Sequence, residues 1–279
     1  GRIVVGGTAV GEPQLSSDLA FARFLPDGTL DPSFGGTGRV LFDPGESDLD
    51  EVRALAVQPD GKMVAGCESE DETTGSNLAV ARLNADGSVD TAFGDGGIKR
   101  FGATFAIESV SGIAVGPGGS IAVAISSRDG EFVAARLLST GQLDPVFDGD
   151  GIAIVPTGGG HGGANDVAIR PDGRMVLAGS LSLSGDESDL LALQLDVSGQ
   201  PDSSFGTSGF TRIDLFVDDS AMSCSLVANG SIVLIGFGFD GASPYSETAK
   251  LRSDGTLDLA FGTGGLAVNV LPPSSFIEC

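Results

Sequence analysis

The chain has 279 residues, 44 of them Gly and none Trp, and its 15 Lys and Arg against 38 Asp and Glu leave a formal charge of −23. A negative excess of that size repels phosphate backbones and argues against a nucleic-acid partner, and no run approaches the roughly 20 apolar residues that a membrane-spanning helix needs. The apolar residues are mostly small or β-branched, which suits many short strands joined by tight turns.

In chain order the sequence repeats one motif five times: TLDPSFGGTG (29–38), SVDTAFGDGG (88–97), QLDPVFDGDG (142–151), QPDSSFGTSG (200–209) and TLDLAFGTGG (256–265). Its phenylalanines, Phe34, Phe93, Phe147, Phe205 and Phe261, are separated by 59, 54, 58 and 56 residues. A period held to within a loop's length marks a repeat protein. The units run over about 1–44, 45–103, 104–157, 158–214 and 215–279, within one domain spanning 1–279.

Residues 1–7, GRIVVGG, align from Gly1 with Gly61 onward and so read as the second strand of a unit. Any signal peptide is therefore expected to have been removed or never included. The first unit is expected to hold three strands, with Ile3, Val4 and Val5 on an open edge to be completed by the tail LPPSSFIEC, an upstream segment or a neighbouring subunit. The second unit carries all four strands: RALAVQP (53–59), KMVAGC (62–67), NLAVARL (77–83) and GIKRF (97–101). Asp60-Gly61 favours the positive φ angles of a tight hairpin between the first two, and Gly119, Gly173 and Gly230 mark the same turn later.

The third strands, DLAFARF, NLAVARL, EFVAARL, DLLALQL and ETAKL, alternate small and larger side chains as a sheet packed on two faces does. A turn, the Asp-x-x-Phe motif and a fourth strand (RVLF, IKRF, IAIV, FTRI, LAVNV) follow, giving nineteen strands in all. Four antiparallel strands per period without helices is the pattern of a propeller blade. The predicted fold is all-β, a five-bladed β-propeller of four-stranded antiparallel blades whose first blade lacks one strand. A parallel β-helix would need shorter coils and no Asp-Gly hairpins.

PDGKMVAG and LAVARLNADGSVDTAFGDGG, with their counterparts, resemble the delta-60 repeat, a β-propeller repeat of bacterial, often secreted or surface, proteins. The resemblance covers essentially the whole chain. It implies the propeller fold and a bacterial origin, and it transfers no catalytic residue. Copies four and five depart from it at Gln194 and Lys250, where the others have Arg23, Arg82 and Arg136.

Among candidate sites, Asp31, Asp90, Asp144, Asp202 and Asp258 occur once per unit after a turn and read as turn caps or partners of the repeated Arg. The five phenylalanines read as wedges between blades, each worth roughly 1.5–3 kcal/mol of burial. The single histidine, His161 in GGGHGGAN, reads as a loop residue; it has neither a nucleophile elbow nor the companions of a zinc site. Cys67, Cys224 and Cys279 allow one disulfide and one thiol, or three thiols.

Ca²⁺ is the inorganic candidate, with Asp95, Asp148 and Asp150 on Gly-rich turns, although the full D-x-D-x-D-G loop is missing. No other cofactor is expected. The loops between second and third strands (8–18, 68–77, 126–131, 181–189 and 238–247) vary most and are expected on one face. That face would be acidic through Glu68, Glu70, Asp71, Glu72, Asp186, Glu187 and Asp189, with Tyr245 the single tyrosine. The function expected is non-enzymatic: an extracellular or cell-surface module that binds or scaffolds a protein or surface polymer through this loop face or the open edge. A lectin-like propeller with one sugar pocket per blade, and a hydrolase with converging unrepeated carboxylates, are the alternatives.

Overall fold

The computed structural model describes residues 1–10, 17–44, 50–71, 75–101, 107–127, 129–158, 160–182 and 187–272. These hold nineteen strands and, apart from one 3₁₀ turn at Pro117–Gly119, no helix. No helix among them is long and apolar enough to cross a membrane.

The first sheet comprises β1 (Ile3–Val10), β2 (Ser17–Phe24) and β3 (Arg39–Phe42). The second comprises β4 (Asp50–Val57), β5 (Met63–Asp71), β6 (Gly75–Leu83) and β7 (Ile98–Arg100). The third holds β8 (Ile107–Val115), β9 (Ile121–Ser127), β10 (Phe132–Leu137) and β11 (Ile152–Val155), and the fourth β12 (His161–Ile169), β13 (Met175–Ser182), β14 (Asp189–Leu195) and β15 (Phe210–Ile213). The fifth holds β16 (Asp218–Leu226), β17 (Ile232–Phe239), β18 (Pro244–Leu251) and β19 (Leu266–Val270). Strands pair antiparallel in sequence order within each sheet. The sheets are the blades of a five-bladed β-propeller, the first blade one strand short. A register shift recurs in the first strand of the second, fourth and fifth blades, between Val52 and Ala54, Ala164 and Asp166, and Ala221 and Ser223. Such bulges sharpen the local twist of a strand.

Packing gathers the chain into two compact units, residues 1–123 with 137–143, and residues 124–136 with 144–279. In the first, Leu19, Phe21 and Phe34 pack on Met63, Ala65, Cys67, Ala79 and Leu83. In the second, Val176, Ala178, Leu190 and Ala192 of the fourth sheet meet Phe205 and Leu234, Ala249 and Leu251 of the fifth. Cys67 and Cys224 are buried free thiols, so no disulfide joins them. Burial pushes the Cys67 thiol up to about 12 and raises Cys224 as well. Cys279 lies outside the described residues.

Each unit is fastened by one device used twice. Phe34 lies against turn residue Gly87 and Phe93 against Gly141 in the first unit; Phe147 lies against Gly199 and Phe205 against Gly255 in the second. A Cβ on these glycines would stand 2.8, 2.9, 3.3 and 3.0 Å from the ring. Gly87, at φ 89°, is thus required twice, for its backbone angle and for the ring beneath it. The residue after each ring closes the seam with a backbone bond to the same turn: Gly35 to Asp86, Gly94 to Thr140, Asp148 to Ser198 and Gly206 to Asp254, each 2.8 Å. These four rings are fully buried, whereas Phe261 is half-buried. The turn residue Gly28 has no atom within 4 Å of where its Cβ would be.

Phe93→Ala should therefore lower the unfolding free energy by about 3–5 kcal/mol and Phe261→Ala by clearly less, measured by urea denaturation beside the parent. Equal losses at the two positions would refute the seam as the site of burial.

Candidate functional site

The repeated acids stand at the seams. Asp31 accepts Nε of Arg23 on Oδ2 (2.9 Å) and the amide and hydroxyl of Ser33 on Oδ1 (3.0 and 2.6 Å). Arg82 and Arg136 pair with Asp90 and Asp144 in the same way, at 2.7 and 2.8 Å. Each guanidinium also covers its ring, 4.8, 4.3 and 4.7 Å from the centroids of Phe34, Phe93 and Phe147. Each then donates to a carbonyl of the following repeat, that of Ala85, Ser139 or Val197. One arginine thus binds the acid, the ring and the neighbouring turn.

The fourth repeat divides these tasks. Gln194 keeps the bond to Asp202 (2.8 Å), and Arg174 supplies the charge at 2.9 Å. Arg170 reaches the carbonyl of Ser253 at 3.0 Å, the position equivalent to Ala85, Ser139 and Val197. In the fifth repeat Lys250 pairs with Asp258 at 2.9 Å. The Ser33 hydroxyl, outweighing burial, holds the Asp31 carboxyl below the usual range with help from Arg23. Asp202 is lowered by the Ser204 hydroxyl, then by Arg174 and Gln194, and Asp258 by Lys250.

A different group of acids lies in the second unit, where β14, β15 and β16 begin or end. One carboxylate oxygen each of Asp189, Asp214 and Asp219 lies within 4.8 Å of the others. Asp219 is fully buried and Asp189 nearly so, while Asp214 is exposed. Oδ2 of Asp219 accepts the amides of Leu215 (2.7 Å) and Phe216 (2.9 Å), and no donor stands in hydrogen-bonding geometry to Oδ1. Arg212 pairs with Oδ2 of Asp189.

Glu247 of β18 is 1% exposed, and its polar neighbours are the backbone of Ser220 and the carboxyl of Asp219. It occupies the strand position held by Ala20, Ala79, Val133 and Leu191 in the other repeats. Burial, and then the charge of Asp219, push its carboxyl up to about 8; burial likewise raises Asp219 against its two amide donors. Phe216 stacks on Tyr245 at 4.4 Å, and the Tyr245 hydroxyl donates to Asp240 at 2.6 Å. Arg212 also lines a concavity of about 790 Å³ with Leu181, Leu191, Phe210 and Leu257.

Several residues expected on loops stand elsewhere. Strand β5 continues through Glu68, Glu70 and Asp71, and Glu68 bonds to Arg53 at 3.2 Å. Asp189 is buried in β14 with its charge turned to Arg212, which corrects its placement on an exposed loop. Tyr245 is half-buried in β18, Glu187 is exposed, and Glu72 and Asp186 lie outside the described residues. His161 is the exposed first residue of β12, not a loop residue. Asp95 sits in a turn closed by its own amide on Ile98 (2.7 Å); Asp150 accepts the amide of Ile152 (2.9 Å) and Asp148 the side chain of Gln200. At the first sheet's edge, β1 pairs among the described residues with β2 alone, Val5 opposite Ala22; Ile3 is 57% and Val5 46% exposed and Val4 half-buried.

A family model described as a domain of unknown function (DUF5122) β-propeller matches residues 1–34, 58–93 and 170–205, less than half the chain. All three stretches end on a seam phenylalanine. The match makes the chain similar to a β-propeller repeat family. No curated protein matches the sequence. The crystal structure of a protein of unknown function from Dyadobacter fermentans is similar at a TM-score of 0.57 and 13% identity, over 98% of this chain and 80% of that one. A polysaccharide lyase, a PL25 ulvan lyase bound to -[GlcA(1-4)Rha3S]-, is similar at a TM-score of 0.50 and 9% identity, over 91% of this chain and 65% of the lyase. Such likenesses show the fold alone.

The lowered carboxyls of Asp31, Asp202 and Asp258 bind protons less readily folded than unfolded, so their contribution is complete above the unfolded value and is lost as pH falls through the folded one. Thermal midpoints should consequently drop most steeply below about pH 4. The drop should be shallower in Asp202→Asn, read by calorimetry at matched ionic strength; an unchanged slope would remove the seam acids as its source.

Proposed function

We propose that the chain is a non-catalytic β-propeller binding module of an extracellular or cell-surface bacterial protein, and that it takes an extended protein segment onto the open edge of its first sheet. The observation that carries this reading is β1, which among the described residues has a strand on one side only, while in the other four sheets a first strand (β4, β8, β12 or β16) covers the corresponding edge. An uncovered edge offers a row of amides and carbonyls, and an added strand gains affinity from the backbone and specificity from alternate side chains. The blades' own first strands indicate the occupant's chemistry. Three end in an apolar-Ala-apolar triplet: Leu55-Ala56-Val57, Ile113-Ala114-Val115 and Val167-Ala168-Ile169. Exposed Ile3 and Val5 supply apolar surface for such a segment.

A labelled peptide with the sequence of residues 50–57, DEVRALAV, should bind the intact chain saturably in fluorescence anisotropy, and a scrambled peptide should not. Val5→Lys, which places a charge beside the edge, should weaken binding by at least about tenfold. No saturation, or an affinity unchanged in Val5→Lys, rejects the reading.

A further inference from the structure

We infer that the second unit binds a divalent cation of the calcium type between Asp189, Asp214 and Asp219, next to the buried carboxylate of Glu247. Two oxygens on one Ca²⁺ at 2.3–2.6 Å stand no more than about 5 Å apart, and the three carboxylate oxygens lie within 4.8 Å of one another. A donor set made only of carboxylates disfavours softer metals.

Proximity of acids alone does not make a site, and the stronger indication is Asp219. It is fully buried, yet its Oδ1 lacks a donor while Oδ2 takes two amides. A buried carboxylate left in that condition is costly, and a cation held by Asp219 would offset the burial of its charge. The charge balance points the same way: among the described residues Arg212 pairs with Asp189, and no ion pair serves Asp214 or Asp219. The Arg212 guanidinium uses Oδ2 of Asp189, and its side chain is 45% exposed. Exposed Asp214 gives the ion a route in.

The first unit repeats the triad at equivalent positions: Asp18, Asp43 and Asp50 also bring carboxylate oxygens within 4.8 Å. There no counterpart of Glu247 stands behind the acids, since Ala79 takes its place. The inference is confined to the second unit, and the first serves as its internal control.

The test is titration of CaCl₂ into the full chain, stripped with EDTA, by calorimetry, with thermal unfolding in parallel. One site with a dissociation constant of about 0.1–1 mM is expected, in the range of extracellular modules, and the thermal midpoint should rise with Ca²⁺. Asp214→Asn alters an exposed residue and leaves the core intact; it should weaken binding by at least about tenfold. Glu247→Leu restores the kind of residue the other repeats use, should fold, and should also weaken binding. Asp18→Asn should leave the isotherm unchanged. Absence of both heat and midpoint shift at about 10 mM Ca²⁺, affinity retained in both Asp214→Asn and Glu247→Leu, or loss of the site in Asp18→Asn would each overturn the inference.

Discussion

The structure depends on a phenyl ring that no repeat can bury by itself. Phe34, Phe93, Phe147 and Phe205 leave their own blade and lie against the glycine turn of the next, where the amide after the ring bonds to the same turn. The ring requires a residue without a side chain at Gly87, Gly141, Gly199 and Gly255. The turn in turn requires the ring, because without it the inner side of the loop would face a void. Stability is therefore shared between neighbours, as in other repeat arrays. A lone blade of this sequence would expose both its ring and its turn.

Around that contact the polar groups are arranged to permit burial. A carboxylate at Asp31 or Asp90, nearly shut off from water, would be costly alone; beside an arginine and the local turn groups it is held ionised. The fourth repeat shows that the physical requirement is conserved in function and not in residue. Gln194 cannot carry charge or span to the following turn, and Arg174 and Arg170, which flank the β12–β13 hairpin, take over the two tasks. The acid needs a cation and the turn carbonyl needs a donor, and the same residue need not provide both.

Much of this was legible in the sequence because it repeats. Period, strand order, Asp-Gly turns and the short first sheet all follow from comparing copies, since a strand's alternation and a turn's glycine are local requirements. The exchange of Gln194 for two distant arginines was not legible, because it depends on which side chains meet across a seam and not on their spacing along the chain. Asp189 misled for a related reason. It follows a variable polar stretch and reads as loop, yet β14 begins at that residue and draws it inside. Strand β5 likewise runs through Glu70 and Asp71, whose polarity suggested a loop. Glu247 did leave a signal: an acid in ETAKL at the position filled by Ala20, Ala79, Val133 and Leu191. Reading it required aligning the strands residue by residue and expecting an apolar side chain there.

In a chain with a formal charge of −23, two classes of buried acid are treated in opposite ways. The seam acids are each given a cation and hydroxyl or amide donors, and the proton affinity of Asp31, Asp90, Asp202 and Asp258 falls. Asp219 and Glu247 receive fewer donors than their burial demands, and their proton affinity rises. The first arrangement recurs with the repeat and is explained by the fold. The second breaks the repeat, since four blades show that an apolar residue at the Glu247 position completes the sheet. A fold that can be built without a buried carboxylate, and nevertheless contains one beside three others, has accepted a loss of stability that packing does not explain. The symmetry of the propeller makes that loss visible, because every other blade displays the cheaper solution at the same place.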